Sequence, residues 1–166
     1  MTDMLLINTG GTFNKRYDEI SGELFVPADE RAVEAVLAEF RSNLAIRLLG
    51  LIHKDSLEMT EDDRETIAQA ILDVPERKVL IVHGTDTMHL TAAHLATRCP
   101  GRRIVLTGAM KPYACDRQEA AMNLALSTGW LQADDAPGVA IGMHGLVRPH
   151  DRIAKDRQCG VFRPLG

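Results

Sequence analysis

A chain of 166 residues with 45% hydrophobic and 25% charged side chains has the make-up of an ordinary soluble globular protein of about one domain, able to bury roughly 70% of its unfolded surface. A net charge of −4, with no basic cluster along the chain, leaves electrostatic capture of nucleic acid or of an anionic membrane without support and points to a small-molecule partner. The amino terminus lacks a secretory pattern and no apolar run approaches the roughly 18 residues of a membrane span, so the expected compartment is the cytoplasm.

The first element is Met4-Leu5-Leu6-Ile7-Asn8-Thr9-Gly10-Gly11-Thr12, an apolar run stopped by two glycines between threonines. Such a run suits a buried central strand of a parallel sheet, with a tight turn at the carboxyl end where open α/β sheets bind ligands. Thr12 is then expected to present its hydroxyl at the floor of a crevice. Phe13 to Glu23 has neither helical nor strand period and reads as a loop, either a mobile lid over the crevice or an ordinary surface excursion. Val33, Val36, Leu37 and Phe40 recur at helical spacing and predict an amphipathic helix from Asp29 to Phe40. Ala45 to Ile52, rich in Leu and Ile, predicts a second strand. Thr60 and Asp63 resemble a helix cap, and Ile67, Ala68, Ile71 and Leu72 supply the buried face of a helix ending near Asp73.

A third strand, Lys78 to Val82, delivers a second threonine-bearing turn, His83-Gly84-Thr85-Asp86-Thr87-Met88. Thr85 and Asp86 place a hydroxyl beside a carboxylate at the mouth of a buried strand; capping of the next helix is the competing reading for Asp86 and, more directly, for Thr87. That helix runs from Met88 to about Cys99, with Met88, Ala92, Leu95, Ala96 and Cys99 on one apolar face, and ends at Pro100-Gly101. Arg103 to Thr107 is a fourth strand that stops at Gly108-Ala109-Met110-Lys111-Pro112. A helix from about Asp116 to Trp130 and a fifth strand from Val139 to His144 follow, and Gly145 to Gly166 is too polar and broken for another βα unit. This alternation predicts right-handed βαβ units in a three-layer, doubly wound α/β fold, its mostly parallel sheet covered by helices on both faces.

Some chemistries find no support. Cys99, Cys115 and Cys159 make no Cys-x-x-Cys pair and read as free thiols. His89 and His94, five apart, fall off a common helix face, so no structural metal is expected. The Gly-x-Gly-x-x-Gly and Gly-x-x-x-x-Gly-Lys phosphate loops are absent, which counts against a nucleotide-binding domain.

Taken together, Thr9-Gly10-Gly11-Thr12 and His83-Gly84-Thr85-Asp86-Thr87-Met88 resemble the paired motifs of the bacterial-type L-asparaginase family. The likeness continues through Gly108-Ala109-Met110-Lys111-Pro112, Asn123-Leu124 and the closing Gly160-Val161-Phe162-Arg163-Pro164-Leu165-Gly166. It implies a short form, with residues 1–166 as a single catalytic domain of the amino-terminal type and without the usual carboxyl-terminal domain. It further implies that Thr12 is the nucleophile, Tyr17 the loop tyrosine near its hydroxyl, and Thr85, Asp86 and Lys155 the group that positions it and supports proton movement and water attack. Lys155 is placed through the short match of Arg152-Ile153-Ala154-Lys155. By the same resemblance Ser56 binds the substrate α-carboxylate, Asp86 meets the α-ammonium group, and Gly11 and Gly84 line the binding surface. The Thr85 backbone N–H is a candidate oxyanion donor, and the Ala109 carbonyl faces the leaving amide nitrogen. Leu57 stands where many relatives carry glutamine, which removes a polar contact. The implied activity is hydrolysis of L-asparagine to L-aspartate and ammonia through a threonine acyl-enzyme, without a cofactor. A homodimer or homotetramer is expected, because long relatives complete the site with an acidic group from a neighbouring subunit's second domain. The alternative, favoured by the truncation and by Leu57, is a low-activity amino-acid-binding module or an amidotransferase subunit that retains the pocket.

Overall fold

The computed structural model describes residues 2–166. Its central sheet has six strands in the order β4 (Ile46–Lys54), β1 (Met4–Gly10), β5 (Lys78–Val82), β6 (Arg103–Thr107), β7 (Gly138–Met143) and β8 (Leu146–Pro149). All neighbours pair in parallel except β8, which returns antiparallel along β7. The chain leaves β1 for β4 on one side and then crosses to β5 on the other, so the strand order reverses between β1 and β5. In doubly wound sheets the ligand crevice opens at the carboxyl ends of such a pair, where the flanking loops part in opposite directions. The two threonine-bearing turns therefore meet at the switch point.

Alternation along the strands sorts the core into two layers. Leu5, Ile7, Val79, Ile81, Ile104 and Leu106 face α2 (Glu61–Leu72) and α3 (Met88–Arg98), whereas Met4, Leu6, Leu80, Val82 and Val105 face α1 (Arg31–Ala38) and α4 (Arg117–Gln132). With helices on both sides, β1 is buried along its whole length, which is why its sequence is an apolar run and not an alternation. Each such side chain contributes about 1.5–3 kcal/mol by burial. The edge strand β4 is only partly covered, in keeping with its less regular pattern.

Several elements differ from expectation. The stretch Phe13 to Glu23 is not a loop throughout: a 3-10 turn, Thr12–Asn14, leads into a hairpin of β2 (Arg16–Asp18) and β3 (Glu23–Phe25). Its three-residue strands are too short and too exposed to carry an apolar period, so only the turn chemistry marks it. Asp18 Oδ1 accepts the Ile20 N–H at 2.9 Å, and Gly22 closes the turn at φ 74°. Helix α1 is shorter than Asp29 to Phe40: Asp29 stays outside and accepts the Arg31 N–H, and Arg41 and Ser42 at φ 56° and 60° turn the chain away. Strand β4 runs two residues past Ile52, because Lys54 still pairs with Gly10 after a register shift. On α2 the expected capping box forms between Thr60 and Asp63, but Leu72 is exposed and Arg64 is buried instead. Thr87 precedes α3 without capping it through its side chain. Gly145 to Gly166 holds β8 and a second hairpin, β9 (Ile153–Asp156) with β10 (Val161–Pro164). The β7–β8 turn consists of His144 and Gly145, both at positive φ (54° and 84°), the geometry that matches the twist of a two-residue hairpin. Among the described residues no helix is long and apolar enough to cross a membrane.

Candidate active site

The floor of the crevice is backbone packed against backbone. Gly11 takes φ 76°, and a Cβ placed on it would lie 2.5 Å from both Cα and N of Gly84. A Cβ on Gly84 would in turn lie 2.6 Å from Cβ and Oγ of Ser56, so the turns that follow β1, β4 and β5 touch at positions only glycine can fill. The Gly11 N–H donates to the Lys54 carbonyl at 2.9 Å and the Thr9 hydroxyl to the Val82 carbonyl at 2.7 Å, tying the first turn to both neighbouring strands. Thr12 follows Gly11 directly and Thr85 follows Gly84. The threonines thus flank the contact between Gly11 and Gly84.

Buried amides hold the first turn from beneath. Asn8 and Asn14 exchange side-chain hydrogen bonds at 2.9 Å in each direction, and Asn14 Nδ2 also donates to the Gly10 carbonyl at 2.7 Å. The second turn is held by His83, which is fully buried. Its ring nitrogens lie 2.7 Å from the Gly84 carbonyl and 2.7 Å from Thr91 Oγ1, and Arg64 Nε donates to the same hydroxyl at 3.1 Å. Burial, opposed by the bond to Gly84 and helped by the charge of Arg64, pushes the His83 imidazole down to about 4. A neutral ring that donates from Nδ1 to the carbonyl and accepts at Nε2 from Thr91 satisfies every contact.

Lys155 joins the site from β9. Ile153, two residues earlier on the same face of the strand, enters the core, and Phe162, paired with Lys155 across the hairpin, is also buried. That anchoring turns the lysine toward β5, where Nζ donates to Thr85 Oγ1 at 2.8 Å and to Asp86 Oδ1 at 2.9 Å. Because the Thr85 oxygen accepts from Lys155, its own proton is free to point elsewhere, and Met110 Sδ is 3.5 Å away. Arg157 reaches Asp86 from the exposed side, 3.7 Å from Oδ1. Ser56 is buried; its Oγ accepts the Thr87 N–H at 3.3 Å, and the Thr87 hydroxyl donates to the Ser56 carbonyl at 2.8 Å. The proton of Ser56 is likewise uncommitted. Ala109 is buried beyond Gly108, whose carbonyl accepts from Asn123 Nδ2 at 2.9 Å.

The structure thus gathers Gly11, Thr12, Ser56, Gly84, Thr85, Asp86 and Lys155 around the switch point. Tyr17 stands apart. It is 61% exposed on the first hairpin, and its hydroxyl lies over that hairpin's own turn, 3.9 Å from where a Cβ on Gly22 would sit. Leu57 is also exposed. Sequence reasoning did not find Asn8, Asn14, Arg64 or Thr91, although a lone Asn inside the apolar run was a legible signal. It also missed Lys15, whose Nζ pairs with Asp55 Oδ2 at 2.7 Å across the mouth of the crevice. Asp55 Oδ1 meanwhile accepts the Leu57 N–H at 3.0 Å and so caps the short Ser56–Glu58 turn. Burial pushes the Asp55 carboxyl up, but the bonds from Lys15 and Leu57, with the charges of Lys15 and Lys155, outweigh it and leave the group below its ordinary value. Among the described residues no group of three or more His, Cys, Asp or Glu is set to hold a metal ion.

Comparison with known proteins agrees with the fold. Residues 3–159 match the family profile "Asparaginase, N-terminal". The chain is 33% identical over 153 residues to a subunit of the glutamyl-tRNA(Gln) amidotransferase from Pyrococcus horikoshii, covering 87% of this chain and 34% of that protein. It is 25% identical over 162 residues to the L-asparaginase of Thermococcus kodakarensis, covering 95% of this chain and 49% of that one. The chain therefore spans between a third and a half of these relatives' length. In fold it matches the solved structure of the thermostable T. kodakarensis L-asparaginase at a TM-score of 0.82 and 22% identity, over 97% of this chain and 50% of the other. It matches a probable cytoplasmic L-asparaginase from Campylobacter jejuni at 0.77 and 20% identity, over 99% and 53%.

Proposed function

The chain belongs to the asparaginase family, and from that premise we propose that it hydrolyses L-asparagine to L-aspartate and ammonia through an acyl-enzyme on Thr12. The observation that carries this reading is Lys155 bridging Thr85 and Asp86 one residue from the contact between Gly11 and Gly84. In the first half-reaction the Thr12 oxygen bonds to the side-chain amide carbon, and the C–N bond breaks. The threonine's proton goes to the nitrogen, which leaves as ammonia past the Ala109 carbonyl. In the second, a water oxygen bonds to the same carbon, the ester bond breaks and Thr12 recovers a proton. Thr85, held by Lys155, is the group placed to direct the attacking water. The Thr85 N–H is the oxyanion donor, a contact worth roughly 3 kcal/mol of barrier. The Ser56 hydroxyl donates a hydrogen bond to the substrate α-carboxylate and Asp86 accepts one from the α-ammonium group. Tyr17 assists Thr12 in this scheme only after the first hairpin turns inward.

The relative from P. horikoshii favours a second reading, an amidase unit whose ammonia is used by a partner, with weak turnover of free amino acids. Leu57, 67% exposed and apolar, fits a pocket with reduced polar contact to a free amino acid. In the first reading the protein is a homodimer or homotetramer, and exposed Ile20, Met122 and Leu165 are apolar surface that assembly would cover.

One experiment separates the readings: coupled ammonia detection with L-asparagine, L-glutamine and their D-isomers, with Thr12→Ala as control. Turnover of L-asparagine that disappears in Thr12→Ala supports the hydrolase. Stoichiometric binding of L-asparagine in a parallel calorimetric titration, with only weak ammonia release, supports the second reading, and full activity in Thr12→Ala refutes the nucleophile. Light scattering reads the assembly.

A further inference from the structure

Away from the crevice, a hollow of about 200 Å³ lies between the Thr12–Asn14 turn and the first turns of α1 and α4. Its wall holds Asn14, Lys15, Arg16, Arg31, Tyr113 and Arg117. We infer that this hollow binds the phosphate group of a small molecule. Four cations around one concavity run against the average of a chain whose net charge is −4. Nearby acids match two of the four, Lys15 and Arg16. Asp55 is taken by Lys15 at 2.7 Å. Asp29 is held in a fork by Arg16 at 2.9 and 2.8 Å, and Asp116 pairs with Lys111 at 2.6 Å. Arg31, 77% exposed, gets no closer to Asp29 than 3.8 Å. Arg117 makes no ion pair among the described residues and lies 5.8 Å from the centre of the Tyr113 ring.

Arg117 therefore faces the hollow without a carboxylate, and Arg31 has only a long single contact to an Asp29 that Arg16 already holds. Each offers a planar fork of N–H donors that matches phosphate oxygens in pairs, and together they match a dianion. A single carboxylate would balance only one of them. The cations form one hollow and no stripe, which suits one phosphate group and not the repeating backbone of a nucleic acid. Lys15 and Arg16 stay with Asp55 and Asp29, so the charge offered to a ligand is mainly that of Arg31 and Arg117. The occupant would rest against the turn that carries Thr12. Asn14 lines the hollow and bonds to Asn8 and Gly10 beneath that turn, while the Tyr113 N–H donates to the Phe13 carbonyl at 3.1 Å and the two rings stack.

Calorimetric titration of the whole chain at low ionic strength tests this, using inorganic phosphate, ribose 5-phosphate and, at matched ionic strength, chloride. One saturable site for both phosphates is expected, with Arg31→Gln and Arg117→Gln each weakening it about tenfold and the exposed Arg148→Gln leaving it unchanged. Both wall arginines are exposed, so unchanged thermal melts should accompany the loss of binding. Tighter binding of the ester than of inorganic phosphate marks an ester as the ligand, and equal binding marks free phosphate; either supports the site. Phosphate bound no more tightly than chloride, or undiminished binding in the Arg31→Gln, Arg117→Gln double variant, overturns it.

Discussion

The crevice has a floor and a rim built on different principles. In the floor, the turns after β1, β4 and β5 are fixed by contacts that leave no room for a side chain, by buried amides and by a buried neutral histidine. The rim is the first hairpin, with short strands, exposed side chains and attachment through part-exposed ion pairs, Lys15 to Asp55 and Arg16 to Asp29. Every group in the proposed mechanism except Tyr17 sits on or against the floor. The positions of Thr12, Thr85 and Ser56 are thereby set when the sheet folds, whereas the position of Tyr17 depends on contacts each worth a fraction of a kcal/mol to about 1 kcal/mol.

The sharpest way to break this comparison is Gly11→Ala. The new methyl would meet the Gly84 backbone at 2.5 Å in a chain held at φ 76°, so the two turns must part. A positive φ on alanine alone costs about 1–2 kcal/mol, and the clash adds to it. We expect a markedly lower denaturant midpoint together with loss of ammonia release. A stable, fully active Gly11→Ala would show that the floor yields. Lys155→Met is next. It removes the donor to Thr85 and Asp86 but leaves Ile153 and Phe162 to hold the hairpin, so turnover should fall by about 10²–10⁴ with a near-native melt.

The buried histidine gives the floor a pH signature. An unfolded histidine titrates near 6.5, whereas His83 in the fold is pushed down to about 4, so between these values the unfolded chain binds more protons. Stability is therefore full above pH 6.5 and falls as the pH drops toward 4, by about 3 kcal/mol at most. His89, lowered first by burial and then by the charges of Arg157 and Arg64, adds a loss of the same sign. Asp29 and Glu65, each held down to about 2 chiefly by hydrogen bonds from Arg16 and Arg98, lose their contribution only at lower pH, so the windows separate. Denaturant midpoints measured from pH 7.5 to 4.5 should decline in the native chain, and His83→Gln should flatten much of that slope. An equal slope in both proteins would move the titration to other groups.

The floor was legible in the sequence and the rim was not, for the same physical reason. Met4–Gly10 and Lys78–Val82 are buried on both faces, so the sheet must be written in their composition, and the glycines that end them are demanded by close approach. Thr12, Thr85 and Asp86 could be placed from those runs. The first hairpin, Arg16 to Phe25, has almost no buried side chain, and nothing in its pattern separates a strand from a loop. The β9–β10 hairpin falls between these cases. Ile153 and Phe162 are buried, but four-residue strands after a broken stretch give too short a period to read. Lys155 was therefore reached through a motif and not through an element. The contacts of Arg64 and Lys15 join residues 27 and 40 positions apart, so they become visible only once the fold places them together.

The smallest expected effect tests the rim directly. Lys15→Met breaks the pair with Asp55 that spans the mouth of the crevice. With side chains 21% and 29% exposed, that pair should contribute no more than about 1 kcal/mol to stability. If the pair anchors the base about which the hairpin turns to bring Tyr17 to Thr12, ammonia release should fall several-fold in Lys15→Met while the denaturant midpoint hardly moves. Exchanging the partners, Lys15→Asp with Asp55→Lys, should recover much of the loss, because the charges still meet even though Asp55 no longer caps Leu57. Tyr17→Phe should match or exceed the effect of Lys15→Met on turnover and add little to it in the double variant, since both act through one placement. Additive losses would separate the latch from the tyrosine. A drop in stability as large as that of Gly11→Ala would show that the hairpin belongs to the floor.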